Sequence, residues 1–212
     1  MEFKEGIQLI DTSKPDIPET LATLHKELHS LDPTYLIEAI AAPKNDPTRY
    51  SMIDYLEEYI KKHGYTRLYP ALEWVLDKRI NEKSTVVCHG DFHQGNILWY
   101  DDRVSAVLDW GTFRFDDPAY DVARTIVSNQ AFLPFVRPEL DCEVFLSRYY
   151  KKYREISDID PSRVDFFRTV NCLYGFFSYE NGVEPWGIPI VQNRIIEIFI
   201  RLTGIDVPFL SK

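Results

Sequence analysis

Three polar side chains of this sequence, Asp91, Asn96 and Asp109, are placed so that they can act together on a metal ion or a proton. Asp91 and Asn96 belong to one polar loop that follows a short apolar run, and Asp109 follows a second apolar run. Carboxylate and amide oxygens are ligands that Mg²⁺ prefers. A carboxylate can also accept the proton of a hydroxyl group. The three residues therefore indicate a site for metal binding, proton transfer, or both.

Two strands joined by a tight turn are predicted to bring Asn96 and Asp109 together. Asp101 and Asp102 are typical turn residues, and they separate two runs rich in apolar and β-branched side chains. A two-residue turn would pair Asn96 with Val107 and place Asp109 two residues further on the same face. The Cβ atoms of such diagonal neighbours lie about 7–8 Å apart. Because Mg²⁺ binds oxygen at about 2.1 Å, one ion could be held between the two side chains.

Asp91 precedes Asn96 by five residues, on the loop that enters this hairpin. It can therefore lie near the metal without binding it, where a base that accepts a hydroxyl proton is needed. Gly90 and Gly95 would allow the backbone of the loop to bend.

Helix caps, glycine stops and apolar periodicity predict the elements around the hairpin. Before the site, helices begin after Asp16, at Ser51 and at Pro70, and the first carries an apolar stripe that ends at Leu31. After the site, helices are predicted over residues 119–129, 139–156, 162–181 and 190–203. Strands are predicted over residues 85–88, 96–100 and 103–108. The predicted fold class is therefore α+β and predominantly helical, with a small β-hairpin at the site.

Composition narrows the class of protein. A chain of 212 residues with 45% hydrophobic and 27% charged residues is expected to form one domain, with room for a small subdomain. Its net charge of −9 argues against a nucleic-acid partner, which needs a basic surface. Three cysteines that form no CxxC pair favour reduced thiols in the cytoplasm. Without a signal peptide or a long apolar run, we expect no membrane association.

At these residues the sequence resembles the aminoglycoside phosphotransferase and choline kinase-like family, which has a protein-kinase-like fold. The family motifs are His-Gly-Asp-x-x-x-x-Asn, then Asp-Trp, then Asp-Pro-x-x-Asp. In this sequence they are His89–Asn96, Asp109-Trp110 and Asp117–Asp121. The resemblance implies Asp91 as catalytic base, and Asn96 and Asp109 as magnesium ligands that also hold the nucleotide. It implies His89 and Asp121 as supports that hold the catalytic loop by hydrogen bonds.

The resemblance extends to the start of the chain. Met1–Gly6 looks like the hinge of the family, whose backbone would meet the adenine ring, so Met1 and Phe3 are expected to bind the nucleotide. Family members have an N-terminal lobe before the hinge, with a strand lysine that pairs the nucleotide phosphates. We therefore expect residues 1–212 to form a single C-terminal lobe, with a separate N-terminal lobe as a candidate partner.

The activity implied by the resemblance is phosphoryl transfer to a hydroxyl of a small polar molecule. It would depend on Mg²⁺ and on ATP or another nucleoside triphosphate. The stretch between Asp109 and Pro118 is too short for the activation segment of a protein kinase, which favours a small-molecule acceptor. The alternative is a non-catalytic module that binds nucleotide or a partner, or one half of a split enzyme. Without the covering lobe, we expect residues 1–212 to bind MgATP weakly and turn it over poorly or not at all.

Several other polar residues have competing interpretations. His89 and His93 flank Asp91 and are a weak candidate for zinc, because the pattern supplies no third ligand. Cys88 directly precedes His89, but adjacent strand residues face opposite ways, so we expect it to be buried filler rather than a nucleophile. Asp116 is expected to cap the next helix or line the acceptor pocket.

Three residues are candidate acceptor contacts by resemblance: Glu180, Glu184 and Trp186. Arg124 is predicted to be a structural partner of a nearby carboxylate.

Overall fold

The computed structural model describes residues 5–12, 14, 16–34, 36, 51–81 and 85–207. Met1 and Phe3, which are expected to bind the nucleotide, lie outside the described residues. Among the described residues, no helix is long and apolar enough to cross a lipid bilayer.

Helices make up most of the described structure. Their bounds are Ile17–Leu28 (α1), Met52–His63 (α2), Tyr69–Asp77 (α3), Pro118–Val136 (α4), Cys142–Glu155 (α5), Pro161–Glu180 (α6) and Pro189–Thr203 (α7). Local sequence sets several of these ends. Ser51 caps α2 by accepting a hydrogen bond from the Asp54 backbone N–H, and Gly64 ends it in a left-handed conformation. The first turns of α4, α5 and α6 are capped by Asp117, Asp141 and Asp160.

Several helix ends differ from the prediction, and the physical reason is visible for two of them. Helix α1 stops at Leu28 because the backbone N–H groups of Ser30 and Leu31 bond to carbonyls three residues back, in a tighter turn. Leu31 therefore lies outside the helix and is exposed. Helix α4 continues past the predicted end at Asn129 to Val136. Burial of Ala131 and Leu133 in the core accounts for this extension, which the local pattern does not reveal.

The strands form two small antiparallel sheets. Their bounds are Ile7–Gln8 (β1), Val86–Cys88 (β2), Ile97–Tyr100 (β3), Arg103–Val107 (β4) and Arg114–Asp116 (β5). One sheet has the order β1-β3-β4, and the other pairs β2 with β5. Strands β2, β3 and β4 confirm the prediction. Strands β1 and β5 were not predicted, because each is only two or three residues long.

The turn between β3 and β4 confirms one part of the hairpin prediction. Asp101 and Asp102 have left-handed φ angles of 51° and 55°, as a two-residue hairpin turn requires. Tyr100 pairs with Arg103, as predicted.

The predicted pairing of Asn96 with Val107 is wrong, because Val107 pairs with Ile97. The register shifts within the ribbon, and Ser105 is left as the extra residue of a β-bulge. The Ser105 hydroxyl donates to the Glu5 carbonyl at 2.7 Å, a contact with a distant segment that the hairpin sequence does not reveal. As a result, the Asn96 carbonyl accepts from the Leu108 N–H at 2.7 Å, and Asp109 comes next along the chain.

The core lies where α4, α6 and α7 pack together, and α1 and α5 pack side by side next to it. Most of α4 and α6 is buried. Strand β2 leads into the polar loop at His89, and β5 leads into α4. The two small sheets and the start of α4 therefore hold the candidate site against the helical core.

Candidate active site

The loop after β2 and the open end of the hairpin meet at Asn96. The Asn96 side-chain amide donates through Nδ2 to the backbone carbonyl of Asp91 at 3.0 Å. Its own carbonyl accepts from Leu108, the residue before Asp109. Asn96 therefore ties the loop that carries Asp91 to the turn that carries Asp109.

Asp109 has a strained backbone and a side chain that the fold does not use. Its φ and ψ are 58° and 63°, the left-handed region that a non-glycine residue rarely occupies. Its carboxylate makes no capping bond to the short 3₁₀ turn, Trp110–Thr112, that follows it. The Nδ2 of Asn96 is occupied, so the Oδ1 of Asn96 and the Asp109 carboxylate remain as oxygen donors. This donor set fits the preference of Mg²⁺ for oxygen ligands.

Asp91 lies between two basic side chains. Its carboxylate oxygens are 3.6 Å from Arg124 Nη2 and 3.6 Å from His93 Nε2. His93 accepts from the Gly95 N–H through Nδ1, so in its neutral form the proton is on Nε2 and faces Asp91. Burial alone would raise the pKa of Asp91, but His93 and Arg124 outweigh it and hold the pKa below its usual value. Asp91 is therefore an ionised carboxylate at neutral pH.

His89 connects the loop to the hairpin through both ring nitrogens. Its Nδ1 accepts from the Asp91 N–H at 3.2 Å, so its Nε2 carries the proton and donates to the Leu108 carbonyl at 2.8 Å. With both nitrogens hydrogen-bonded, the structure gives no support to a zinc site at His89 and His93. Cys88 is completely buried, in agreement with the prediction that it is a core residue.

Gly90 is required by a close approach of backbone to backbone. Its φ is 79°, and a Cβ atom at this position would lie 2.2 Å from the carbonyl oxygen of Thr112. The Thr112 hydroxyl also donates to the His89 carbonyl at 3.2 Å. The turn after Asp109 therefore packs directly on the loop that carries Asp91.

Asp121, at the start of α4, holds the loop that carries Asp91 by hydrogen bonds to its backbone. It is completely buried, and its two carboxylate oxygens accept from the backbone N–H groups of His89 at 2.7 Å and Gly90 at 2.9 Å. These are the loop hydrogen bonds that the resemblance implied for Asp121.

Two histidines at the end of α1 complete the surroundings of Asp121: His25 in its last turn and His29 directly after it. The sequence analysis missed both. The Nε2 atoms of His25 and His29 lie 3.0 and 3.2 Å from one Asp121 oxygen. Each Nδ1 accepts from a tyrosine hydroxyl of α5 at 2.7 Å, which places the histidine proton on Nε2. The tyrosines are Tyr149 and Tyr153. Both pairs have a spacing of four residues, and this repeated spacing is the signal that could have found them.

In the buried cluster of His25, His29 and Asp121, burial and neighbouring residues shift the pKa values of His25 and Asp121. The ligand atoms of His25, His29 and Asp121 lie close enough together to bind a metal ion, but all of them take part in hydrogen bonds. Burial, and then the neighbouring His29, lower the pKa of His25 to about 4. Burial alone would raise the pKa of Asp121, but the two histidines hold it well below its usual value. The cluster therefore combines neutral His25 with an ionised Asp121 near neutral pH.

A cleft of about 570 Å³ opens beside Asp91 and Asn96. Its floor includes Gln94, Arg124 and Ser128, and one wall is formed by aromatic side chains. These wall residues are Phe132 and Trp186. Ile10 and Asp11, which follow β1, also line the cleft. The cleft has the volume of a small-molecule site.

The family model described as a phosphotransferase enzyme family matches residues 1–156 of this chain. The chain belongs to this phosphotransferase enzyme family. A comparison with curated protein sequences gives no match.

Solved structures have the same fold as this chain. A thermostable mutant of aminoglycoside phosphotransferase APH(4)-Ia, in a ternary complex with AMP-PNP and hygromycin B, matches with a TM-score of 0.64 and 18% identity, over 95% of this chain and 70% of that chain. An aminoglycoside-3'-phosphotransferase of type VIII matches with a TM-score of 0.58 and 16% identity, over 80% of this chain and 66% of that one. Ethanolamine kinase of Plasmodium vivax matches with a TM-score of 0.60 and 17% identity, over 95% of this chain and 63% of that one.

At these identities the structures show the fold alone, and they confirm the predicted mainly helical, protein-kinase-like fold. This chain spans somewhat less than two thirds of the length of two of these proteins, at 66% and 63%.

The structure agrees with only some of the predictions for the other candidate residues of this chain. Trp186 lines the cleft, whereas Glu180 and Glu184 are not among its lining residues. Asp116 is buried and accepts hydrogen bonds from the backbone N–H groups of Met52 and Asp117, so it neither lines this cleft nor caps α4. Arg124 has a carboxylate partner, as predicted, and that partner is Asp91.

Proposed function

We propose that this chain carries the metal-binding and acceptor-binding residues of a phosphotransferase that uses ATP and Mg²⁺ to phosphorylate a hydroxyl of a small polar molecule. The observation that carries the proposal is the position of Asp91. Its ionised carboxylate lies at the edge of a cleft of small-molecule size. Its backbone carbonyl accepts a hydrogen bond from Asn96, and the Asn96 carbonyl in turn bonds to the residue before Asp109. The neighbouring structure that contains AMP-PNP and hygromycin B supports a nucleotide and a small acceptor as the two substrates.

Asp91 is proposed to orient the acceptor hydroxyl and take its proton. As the hydroxyl oxygen forms a bond to the γ-phosphorus, the bond from that phosphorus to the bridging oxygen of ADP breaks, and the hydroxyl proton moves to Asp91. Because the pKa of Asp91 is held below its usual value, the proton moves late, when the attacking oxygen has become acidic. Arg124 and His93 hold the carboxylate in place during this step.

Asn96 and Asp109 are proposed to supply the metal ligands. Mg²⁺ bound there would neutralise charge on the nucleotide phosphates. The strained backbone of Asp109 supports this role, because backbone strain is common at functional sites. Asn96 contributes its Oδ1 while its Nδ2 keeps the Asp91 loop in place.

The proposal is tested by incubating the protein with ATP, Mg²⁺ and a panel of small hydroxyl compounds. A phosphorylated acceptor is then sought by mass spectrometry, and nucleotide binding is measured by calorimetry with and without Mg²⁺. In line with the weak activity expected of residues 1–212, we expect weak, Mg²⁺-dependent nucleotide binding and slow transfer to at least one acceptor. Nucleotide binding that is indifferent to Mg²⁺, together with no transfer to any acceptor, would reject the proposal.

A second candidate function is a module that binds nucleotide or a partner without transfer. It is favoured by large apolar side chains that are exposed around the hairpin. These are Ile7, Tyr100, Leu108 and Trp110. A separate covering lobe is one partner that could bury them. Under this alternative, nucleotide binds, no acceptor is phosphorylated, and replacing Asp91 changes nothing that can be measured.

A further inference from the structure

The floor of the cleft contains buried polar atoms that have no hydrogen-bond partner. Among the described residues, Gln94 Oε1, Arg124 Nη1 and Ser128 Oγ are such atoms, and all three residues line the cleft beside Asp91. The side chains are at least nine-tenths buried, with 3%, 3% and 6% of the residue surface exposed. Buried polar groups are almost always paired with protein or with ordered water, so three unpaired ones among the residues of one cleft mark positions for polar groups of a ligand or of water.

These atoms are held in fixed positions by the bonds that their side chains do make. Gln94 donates through Nε2 to Asn129 Oδ1 at 2.7 Å, which leaves its Oε1 as the unpaired atom. Arg124 donates through Nε to the Gly90 carbonyl at 3.1 Å. Its guanidinium group also lies 4.5 Å from the ring centre of Tyr174 and 4.6 Å from that of Trp186. Arg124 is therefore rigid, and its Nη1 is the part that remains for a ligand.

The three atoms have the chemistry that recognises a hydroxyl group. Arg124 Nη1 donates, Gln94 Oε1 accepts, and Ser128 Oγ does either. Arg124 and Ser128 are four residues apart on α4, so they lie on the same face of that helix. Arg124 Nη2 is 3.6 Å from Asp91, so a ligand group on Nη1 lies close to the hydroxyl that Asp91 would orient.

The charges of the residues that line the cleft disfavour a polyamine as the acceptor. Among the described lining residues, the acidic side chains are Asp91 and Asp11. Asp91 is opposed by Arg124, and Asp11 is paired with Arg137 at 3.2 Å. No carboxylate of the described lining is left unopposed for the ammonium groups of an acceptor. The aromatic wall instead suits the apolar face of a sugar or cyclic polyol.

We propose that Gln94, Arg124 and Ser128 form a subsite for an uncharged polyhydroxyl acceptor, a sugar or polyol, and bind a hydroxyl next to the one that is phosphorylated. This inference rests on the proposed function and names its substrate class. Arg124 and Ser128 are thus specificity-determining residues, since they touch the acceptor rather than the transferred group.

The test compares acceptors that differ by one or more amino groups. The pairs are glucose and glucosamine, ethylene glycol and ethanolamine, and scyllo-inositol and streptamine. Binding of each to the protein is measured by ligand-observed NMR, with and without the Mg²⁺ complex of AMP-PNP. We expect at least one hydroxyl compound to bind about tenfold more tightly than its amine counterpart. Tighter binding of the amines, or no binding of any hydroxyl compound, would overturn the inference.

Variants separate recognition from a structural role. Ser128→Ala removes an unpaired buried hydroxyl, so we expect polyol binding to weaken about tenfold while the melting temperature stays the same or rises. Arg124→Lys keeps the charge but loses Nη1, and should also weaken polyol binding at least tenfold. Ser178→Ala, at a buried serine of α6 outside the cleft lining, is the matched control and should leave polyol binding unchanged.

The outcomes keep this inference distinct from the proposed function. If the nucleotide binds with Mg²⁺ but the amines are the better acceptors, the substrate class is wrong and the phosphotransferase proposal stands. If polyols bind and respond to Ser128→Ala while Mg²⁺-dependent nucleotide binding is absent, the subsite stands and the proposed activity fails. Unchanged polyol binding in Ser128→Ala and Arg124→Lys, or displacement of the polyol by inorganic phosphate at this floor, overturns the subsite.

Discussion

At the scale of single residues, the charge of Asp91 is the property on which the proposed chemistry depends. Asp91→Asn keeps the size and polarity of the side chain but cannot accept a proton. We expect phosphoryl transfer to fall by a factor of about 10³ or more, since general-base catalysis alone contributes about 10²–10⁴. The affinity for MgATP should stay within about twofold, because Asp91 is proposed to face the acceptor. Transfer rates and calorimetric affinities measure the two effects.

Asp102→Asn, in the exposed turn of the hairpin, makes the same chemical change away from the cleft and serves as the control. Transfer that survives in Asp91→Asn would show that Asp91 is not the base.

Asp109 is a residue whose replacement should improve the fold and damage the site. In Asp109→Gly the left-handed backbone becomes unstrained, because glycine adopts φ near 58° without steric cost. We expect the thermal midpoint to stay the same or rise, and Mg²⁺-dependent nucleotide binding to weaken at least tenfold. Differential scanning fluorimetry and calorimetry with and without Mg²⁺ measure these quantities. If the Mg²⁺ dependence is retained, Asp109 is not a ligand.

At the scale of elements, the sequence predicts those helix ends that are set by residues close by in the chain. Ser51 and Gly64 set the ends of α2 through contacts within a few residues, so both ends were predicted correctly. The continuation of α4 and the short strands β1 and β5 depend on distant partners and were missed. The bulge at Ser105 has the same origin, since its hydroxyl bonds to Glu5, 100 positions away.

In the candidate site too, the residues close together in the sequence could be predicted, and the contacts between distant residues could not. Asp91, Asn96 and Asp109 lie within nineteen positions on one loop and one hairpin, so their spacing could be interpreted directly. His25 and His29 meet Asp121 across 96 and 92 positions; their four-residue spacing indicates a shared helix face but does not identify the carboxylate that this face meets. The unpaired atoms of Arg124 and Ser128 are also a tertiary property, because they depend on what packs against α4.

The packing of the Thr112 turn on the loop gives an element-scale prediction for Gly90. In Gly90→Ala the new Cβ would lie 2.2 Å from the Thr112 carbonyl oxygen, with φ at 79°. We expect a loss of about 3 kcal/mol or more in the free energy of unfolding, since steric overlap adds to backbone strain. Urea denaturation measures it.

Gly64→Ala is the matched control for this change. Gly64 also has a left-handed φ, of 67°, but no atom lies within 4 Å of a Cβ built there. Its cost should be limited to backbone strain, about 1–2 kcal/mol. Equal losses in the two variants would mean that the contact between the turn and the loop contributes nothing.

At the scale of the whole molecule, the buried cluster around Asp121 joins elements that are far apart in sequence. It connects α1, through His25 and His29, to α5, through Tyr149 and Tyr153, and both to the loop that carries Asp91. The stability of the helical core and the position of the site loop are therefore coupled through one carboxylate. Conditions that disrupt the cluster should unfold the core and misplace the site together.

Low pH is such a condition, and the pKa of His25 sets the pH range over which stability decreases. The pKa of His25 falls from 6.5 to about 4 in the folded chain, chiefly because of burial and then because of His29. Between these two values the unfolded chain binds the proton and the folded chain does not, so stability decreases as the pH falls. The full loss is about 3 kcal/mol, at about 1.4 kcal/mol for each unit of pKa. The pKa of Asp121 is also lowered, so its contribution is lost only below its usual value near 3.8.

Urea denaturation between pH 7 and pH 4 measures this loss. In His25→Gln the titrating group is absent, so the decrease between pH 6.5 and pH 4 should become shallower, whatever the stability of the variant at pH 7. His63→Gln, at an exposed histidine of α2, should keep the slope of the original chain. If His25→Gln retains that slope as well, groups other than His25 control the acid response, and the coupling of the core to the site loop through this histidine is wrong.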